Sequence, residues 1–120
     1  MVEHRGRKSG ATRRTVLEVV ARTDAGEWVV VAGYGAKSDW YLNLRAADPQ
    51  ALWLGAHRHA DVRARFVADE EAAVLIAGYE ERHPRAAAIL FEAMGESNDG
   101  SAESREEMMA SIPMVAFEVR

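Results

Sequence analysis

The sequence predicts an α+β fold in which a small antiparallel barrel forms the sheet. Three observations point there. β-Branched runs come first ("TVLEVVAR" and "EWVVVAG"), helical patterns are inserted late, between Asp69 and Pro113, and "MVAFEV" returns as a closing strand. That order is unlike the alternating strands and helices of a parallel sheet, and it suits antiparallel strands with segregated helices. A length of 120 residues fits one domain spanning 1–120. At that size folding hides roughly two-thirds of the surface of the unfolded chain, enough for a real core.

The first two runs flank "TDAG" and read as a hairpin turning at Asp24 to Gly26. "WVVVA" lacks alternation, so its strand is expected to be buried on both faces. Ser38 is placed to cap a helix that carries Trp40, Asn43, Leu44 and Ala47 on one stripe, and Pro49 stops it. "ALWLGAHRHADVRARFV" reads as a second hairpin turning near Gly55. Its return arm puts Ala60, Val62, Ala64 and Phe66 inward, with His57, His59, Asp61, Arg63 and Arg65 outward. Asp69, Glu70 and Glu71 open a helix whose apolar stripe is Ala72, Leu75, Ile76 and Tyr79. Pro84 breaks that helix, and the next presents Ala87, Leu90, Phe91 and Met94 before Gly95. "ESNDGS" is a loop, and Ser101 is expected to cap a last short helix ending before Pro113.

Composition excludes several classes of function. With 48% hydrophobic and 28% charged residues the chain is expected to be soluble and globular. No apolar run approaches the roughly 20 residues of a spanning helix. The chain also lacks a basic start followed by an apolar stretch, so a cytoplasmic protein is the economical reading. The absence of Cys removes disulfides, thiolate nucleophiles and Cys-ligated metals together.

Charge is unevenly placed. Arg5, Arg7, Lys8, Arg13 and Arg14 crowd one end of a chain whose formal net charge is −4, while residues 69 to 107 carry eleven acids against Arg82, Arg85 and Arg105. A local positive potential of this kind suits a small polyanion. Long DNA would be repelled by the acidic C-terminal third, so no nucleic-acid partner is expected.

Two segments carry candidate chemistry. In "GRKSGATRR", Gly6, Ser9 and Gly10 let backbone amides approach an anion, and Lys8 and Arg13 supply charge and bidentate hydrogen bonds. The same residues also suit a solvated turn between strands. In "AGYGAKSDWYLN", two glycines bracket Tyr34 between a buried strand and a helix N-terminus, a plausible phosphate or ring cradle. Without a third glycine it is no dinucleotide fingerprint. Trp40 and Asn43 share the helix face below that turn; core packing and helix-face hydrogen bonding are their ordinary roles. His57, His59 and Asp61 could ligate a metal, but Arg63 and Arg65 share their face, and a solvated strand face is the better account. His4 and His83 stand alone, and no strained Ser elbow of a hydrolase is present.

Taken in order, "HRGRKSGATRRTVLEVV", "VVVAGYGAKSDWYLNLRA", "ERHP", "DGSAESREEM" and "IPMVAFEVR" resemble the deazaflavin-dependent nitroreductase family over nearly the whole chain. "GRKSG" and "SDWYLNL" are the specific blocks. The resemblance implies a split β-barrel that binds coenzyme F420, a 5-deazaflavin with a phosphate and an oligoglutamate tail; FMN is the alternative cofactor. It implies that Lys8 and Arg13 hold the anionic tail, with Arg7, Ser9 and Arg14 beside them. It also implies that Thr15 and Val16 flank the ring, that Ala32, Gly33 and Tyr34 line its other side, and that Trp40 and Asn43 complete the pocket. The implied activity is hydride transfer between reduced deazaflavin and a small unsaturated, quinone-like or nitro substrate. A non-catalytic carrier of a flavin-like cofactor is the alternative. Split barrels of this kind often pair as homodimers. The chain departs from the family in having five residues ahead of the loop, so its first strand is expected to be truncated. The turn before Trp40 is also short, and the C-terminal substrate tyrosines of the known nitroreductases have no clear match.

Overall fold

Eight strands fall into two antiparallel sheets of four, and a computed structural model describes them within residues 1–32 and 35–120. The first sheet holds β1 (Val2–Arg5), β2 (Thr12–Thr15), β5 (Ala51–Leu54) and β6 (His57–His59) in the order β2-β1-β5-β6. The second holds β3 (Val19–Arg22), β4 (Trp28–Val31), β7 (Val62–Phe66) and β8 (Met114–Val119) in the order β3-β4-β8-β7. Helix α1 (Asp39–Ala46) links β4 to β5, and α2 (Asp69–Arg82), α3 (Pro84–Met94) and α4 (Ala102–Ser111) lie between β7 and β8. The fold is α+β as expected. The barrel is not closed among the described residues: two separate four-stranded sheets take its place, an arrangement compatible with a split barrel.

The second sheet is covered on both sides, which explains why "WVVVA" does not alternate. Val29 and Val31 join a core with Ile76, Tyr79, Phe91 and Met109 of the three late helices. Val30 and Ala32 point the other way, into a core with Val2 and Leu52 of the first sheet and Trp40, Tyr41 and Leu44 of α1. β8 behaves alike, with Met114 and Ala116 on the helix side and Val115 and Phe117 on the side of the first sheet.

Two long runs read as single strands are each divided between the sheets. "TVLEVVAR" breaks at residues 16–18, so Thr15 ends β2 while Val19 begins β3. The return arm of the second hairpin breaks at residues 60–61: β6 pairs with β5, and β7 pairs with β8. Val62 is buried and Ala64 and Phe66 are half-buried as the alternation requires, but Ala60 is exposed because it lies in the crossing. Ala47 likewise leaves the expected α1 stripe, being the exposed C-cap. The helix ends follow the sequence with one exception: Ser38 precedes α1, but its hydroxyl donates to the Gly35 carbonyl and caps no helix amide. Pro84 opens α3, Gly95 closes it in the left-handed conformation, and the Ser101 hydroxyl accepts the Ser104 amide at the start of α4. β1 is four residues long and lies in the interior of its sheet, between β2 and β5.

Candidate functional site

The basic segment is the hairpin turn between β1 and β2, whose register pairs His4 with Arg13 and Arg5 with Thr12. The Gly6 amide donates to the Ala11 carbonyl at 2.8 Å, and the Gly10 amide to the Gly6 carbonyl at 2.8 Å. Gly10 takes φ +74°, a conformation that L side chains rarely adopt. The Ser9 hydroxyl accepts the Ala11 amide at 3.2 Å. At Gly6 a Cβ would sit 2.7 Å from Ser9 Oγ and 3.2 Å from Arg13 Nε, so any side chain there would displace these two site residues.

Between this turn, the start of β2 and α1 lies an open cavity of ≈ 280 Å³ lined by Gly6, Arg7, Lys8, Ser9, Arg13, Asp39 and Asn43. Asn43 fastens the turn to the helix. Its Oδ1 accepts the Arg7 backbone N–H at 3.0 Å and Arg7 Nη1 at 2.9 Å. Arg7 Nη1 also reaches Asp39 Oδ1 at 3.3 Å, so this guanidinium is already partly neutralised. Among the described residues no ion pair engages Lys8 or Arg13, and both remain available to an anion.

Sequence reasoning set His4 aside, yet it is buried directly behind the site and bonded to Asn43 of the cavity lining. The residue is 2% exposed; Nδ1 lies 3.0 Å from Asn43 Nδ2 and Nε2 lies 2.9 Å from Thr15 Oγ1. Burial pushes its pKa below the usual 6.5, Arg13 adds to that, and Asp39 opposes it. The available signal was its place in "VEHR", where it shares the inward phase with Val2. Asp39 was missed too; it is the first residue of α1 and lines the cavity.

The structure gathers Arg7, Lys8, Ser9, Arg13 and Asn43 around one cavity, and His4 ties Thr15 to it. Val16, just beyond β2, is 83% exposed. Ala32 and Trp40 pack in the core between the sheets, with Trp40 edge-on to Tyr41 at 6.2 Å. They do not line the cavity. Gly33 and Tyr34 lie outside the described residues. The apolar gap lined by Leu17, Val19, Trp28 and Trp53 measures only ≈ 20 Å³. That is room for about one water-sized sphere, so it offers no enclosed slot for a ring.

On the opposite face of β1, Glu3 holds the first sheet together. Its carboxylate, 3% exposed as a residue, accepts Trp53 Nε1 at 2.7 Å and Arg58 at 2.9 and 3.3 Å, and Arg14 Nε lies 3.5 Å away. These partners come from β5, β6 and β2, so a single carboxylate touches every strand of the sheet. The Arg58 and Trp53 hydrogen bonds pull its pKa down from 4.5 to about 2.

Against known proteins, the model of the F420H(2)-dependent quinone reductase family matches residues 1–89. That span runs from β1 into α3 and contains every residue of the cavity. No curated protein matches the chain.

Proposed function

This chain belongs to the F420H(2)-dependent quinone reductase family, and from that premise we propose that the cavity under the β1–β2 turn receives the anionic tail of coenzyme F420. The family makes the chain an oxidoreductase with F420 as its cofactor. The observation that supports the location is the donor set: Arg7, Lys8 and Arg13 converge on one cavity in a chain of net charge −4. Lys8 and Arg13 pair with the phosphate and glutamate carboxylates, and the Ser9 hydroxyl adds a donor. Arg7, held by Asp39 and Asn43, contributes shape more than charge.

Reduced F420, when bound, supplies the hydride, and the protein supplies orientation. The ring lies on the open surface beside Thr15 and the exposed Val16. Ala32 and Trp40 stiffen the site from the core behind it, and Asn43 is the floor on which the tail rests. The acceptor is a small quinone-like, unsaturated or nitro compound. We place the protein in the cytoplasm as a single domain, able to pair as a homodimer. Among the described residues no helix is long and apolar enough to cross a membrane.

Parallel titrations with F420 and FMN, followed by fluorescence, test the assignment. F420 binds more tightly, affinity rises with oligoglutamate length, and salt weakens it. Lys8→Ala and Arg13→Ala each weaken F420 by about 1–3 kcal/mol without lowering the melting temperature appreciably. If FMN binds at least as well at physiological salt, the site is not a deazaflavin site. Turnover with quinone, enone and nitro acceptors then ranks the substrates.

A further inference from the structure

We infer that His4 is a positioning residue for the cofactor's anion cavity: as a neutral imidazole it locks Asn43, and through Asn43 the basic turn, and protonation undoes the lock. The link to the cofactor rests on the function proposed above; the lock itself rests on hydrogen bonds alone.

The network admits one assignment of protons. Arg7's backbone N–H is a donor only, and so is its guanidinium, so the Asn43 atom that meets both must be the carbonyl oxygen. Asn43 therefore presents its NH₂ to His4, 3.0 Å from Nδ1. Nδ1 must accept, which places the ring's single proton on Nε2, and Nε2 donates to Thr15 Oγ1 at 2.9 Å. Thr15 is thereby left with its own hydroxyl proton to offer outward. One neutral ring thus fixes both ends of the site, the turn at Arg7 and the strand end at Thr15.

A second proton would occupy Nδ1 and face the Asn43 NH₂ donor to donor. The amide could escape only by rotating, and its NH₂ would then oppose the Arg7 N–H and guanidinium. Either way a buried donor loses its partner. The groups facing the ring are Arg13 on β2, Asp39 on α1 and, through Asn43, Arg7; β5, the other neighbour of β1, brings no titratable side chain. Burial and Arg13 outweigh Asp39, so the lock holds at neutral pH and fails as pH falls below 6.5 through the lowered pKa.

The test begins with the full-length, ¹⁵N-labelled protein without cofactor, followed by NMR between about pH 8 and pH 5. At the upper end the ring shifts report the Nε2–H tautomer. On acidification the Arg7 backbone amide and the Asn43 side-chain amide move with the midpoint of His4. F420 titrations over the same range show affinity falling roughly tenfold as His4 protonates, the equivalent of about one hydrogen bond. In His4→Gln, a side-chain carbonyl can accept from Asn43 and an NH₂ can donate to Thr15, with nothing to titrate, so affinity stays level. An Nδ1–H tautomer, an Arg7 amide indifferent to the His4 midpoint, or a His4→Gln affinity curve that follows the wild type each overturns the inference. If the amides track His4 but F420 binds at no pH, the lock stands and the cofactor assignment falls.

Discussion

Gly6 and Gly10 bracket the same turn, yet they are glycines for different reasons. Gly10 needs its φ of +74°, and a Cβ there would meet nothing within 4 Å. Gly10→Ala therefore costs about 1–2 kcal/mol of stability through backbone strain, visible as a lower melting temperature. At Gly6 the obstacle is the movable end of Ser9 and the guanidinium of Arg13. Gly6→Ala leaves the melting temperature nearly unchanged and weakens F420 instead, because Ser9 and Arg13 are pushed from their places. Comparing the two variants by thermal melting and cofactor titration separates fold from site. The basic turn was legible because Gly, Ser, Lys and Arg each have a stereotyped use in such loops. His4 was not, since the role of a buried polar residue depends on partners in β2 and α1 that no local pattern reveals.

Among the elements, α1 and β1 carry the site between them. Asn43→Ala strands the Arg7 amide and His4 Nδ1 together, and destabilises the protein by about 1–3 kcal/mol whether or not cofactor is present; calorimetry of the cofactor-free variant checks this. In the first sheet, Glu3 has its pKa lowered to about 2, so its contribution is fully present above the unfolded value of 4.5 and is lost as pH falls through about 2. Glu3→Gln therefore loses stability at neutral pH and flattens that acid limb, as melting temperatures measured across the window report. Helix ends and the doubly buried β4 were readable because caps, prolines and missing alternation are local signals. The breaks at residues 16–18 and 60–61 were not, since each run keeps its β-forming character across the point where the chain changes sheets. Only the packing of one sheet on the other decides that point.

The whole molecule is organised about the second sheet, whose two faces feed two cores. Phe117 is fully buried on the face toward the first sheet, so Phe117→Ala costs about 3–5 kcal/mol by lost burial and a residual cavity. Set against the roughly 5–15 kcal/mol typical of a domain, that loss shows as a much lower urea midpoint. The placement of β8 also governs the order of assembly. It pairs Trp28 with Phe117 on one side and Phe66 with Val115 on the other, so it is the strand that unites the two halves of its sheet. Until β8 arrives, β4 and β7 each present an unpaired edge, and the three late helices have an incomplete floor. Closing such distant pairings is entropically slow, and exposed edges invite pairing with other chains in the meantime. A chain in which β8 has not yet docked is therefore expected to be the form most prone to aggregation, which light scattering of a truncation ending before Met114 checks.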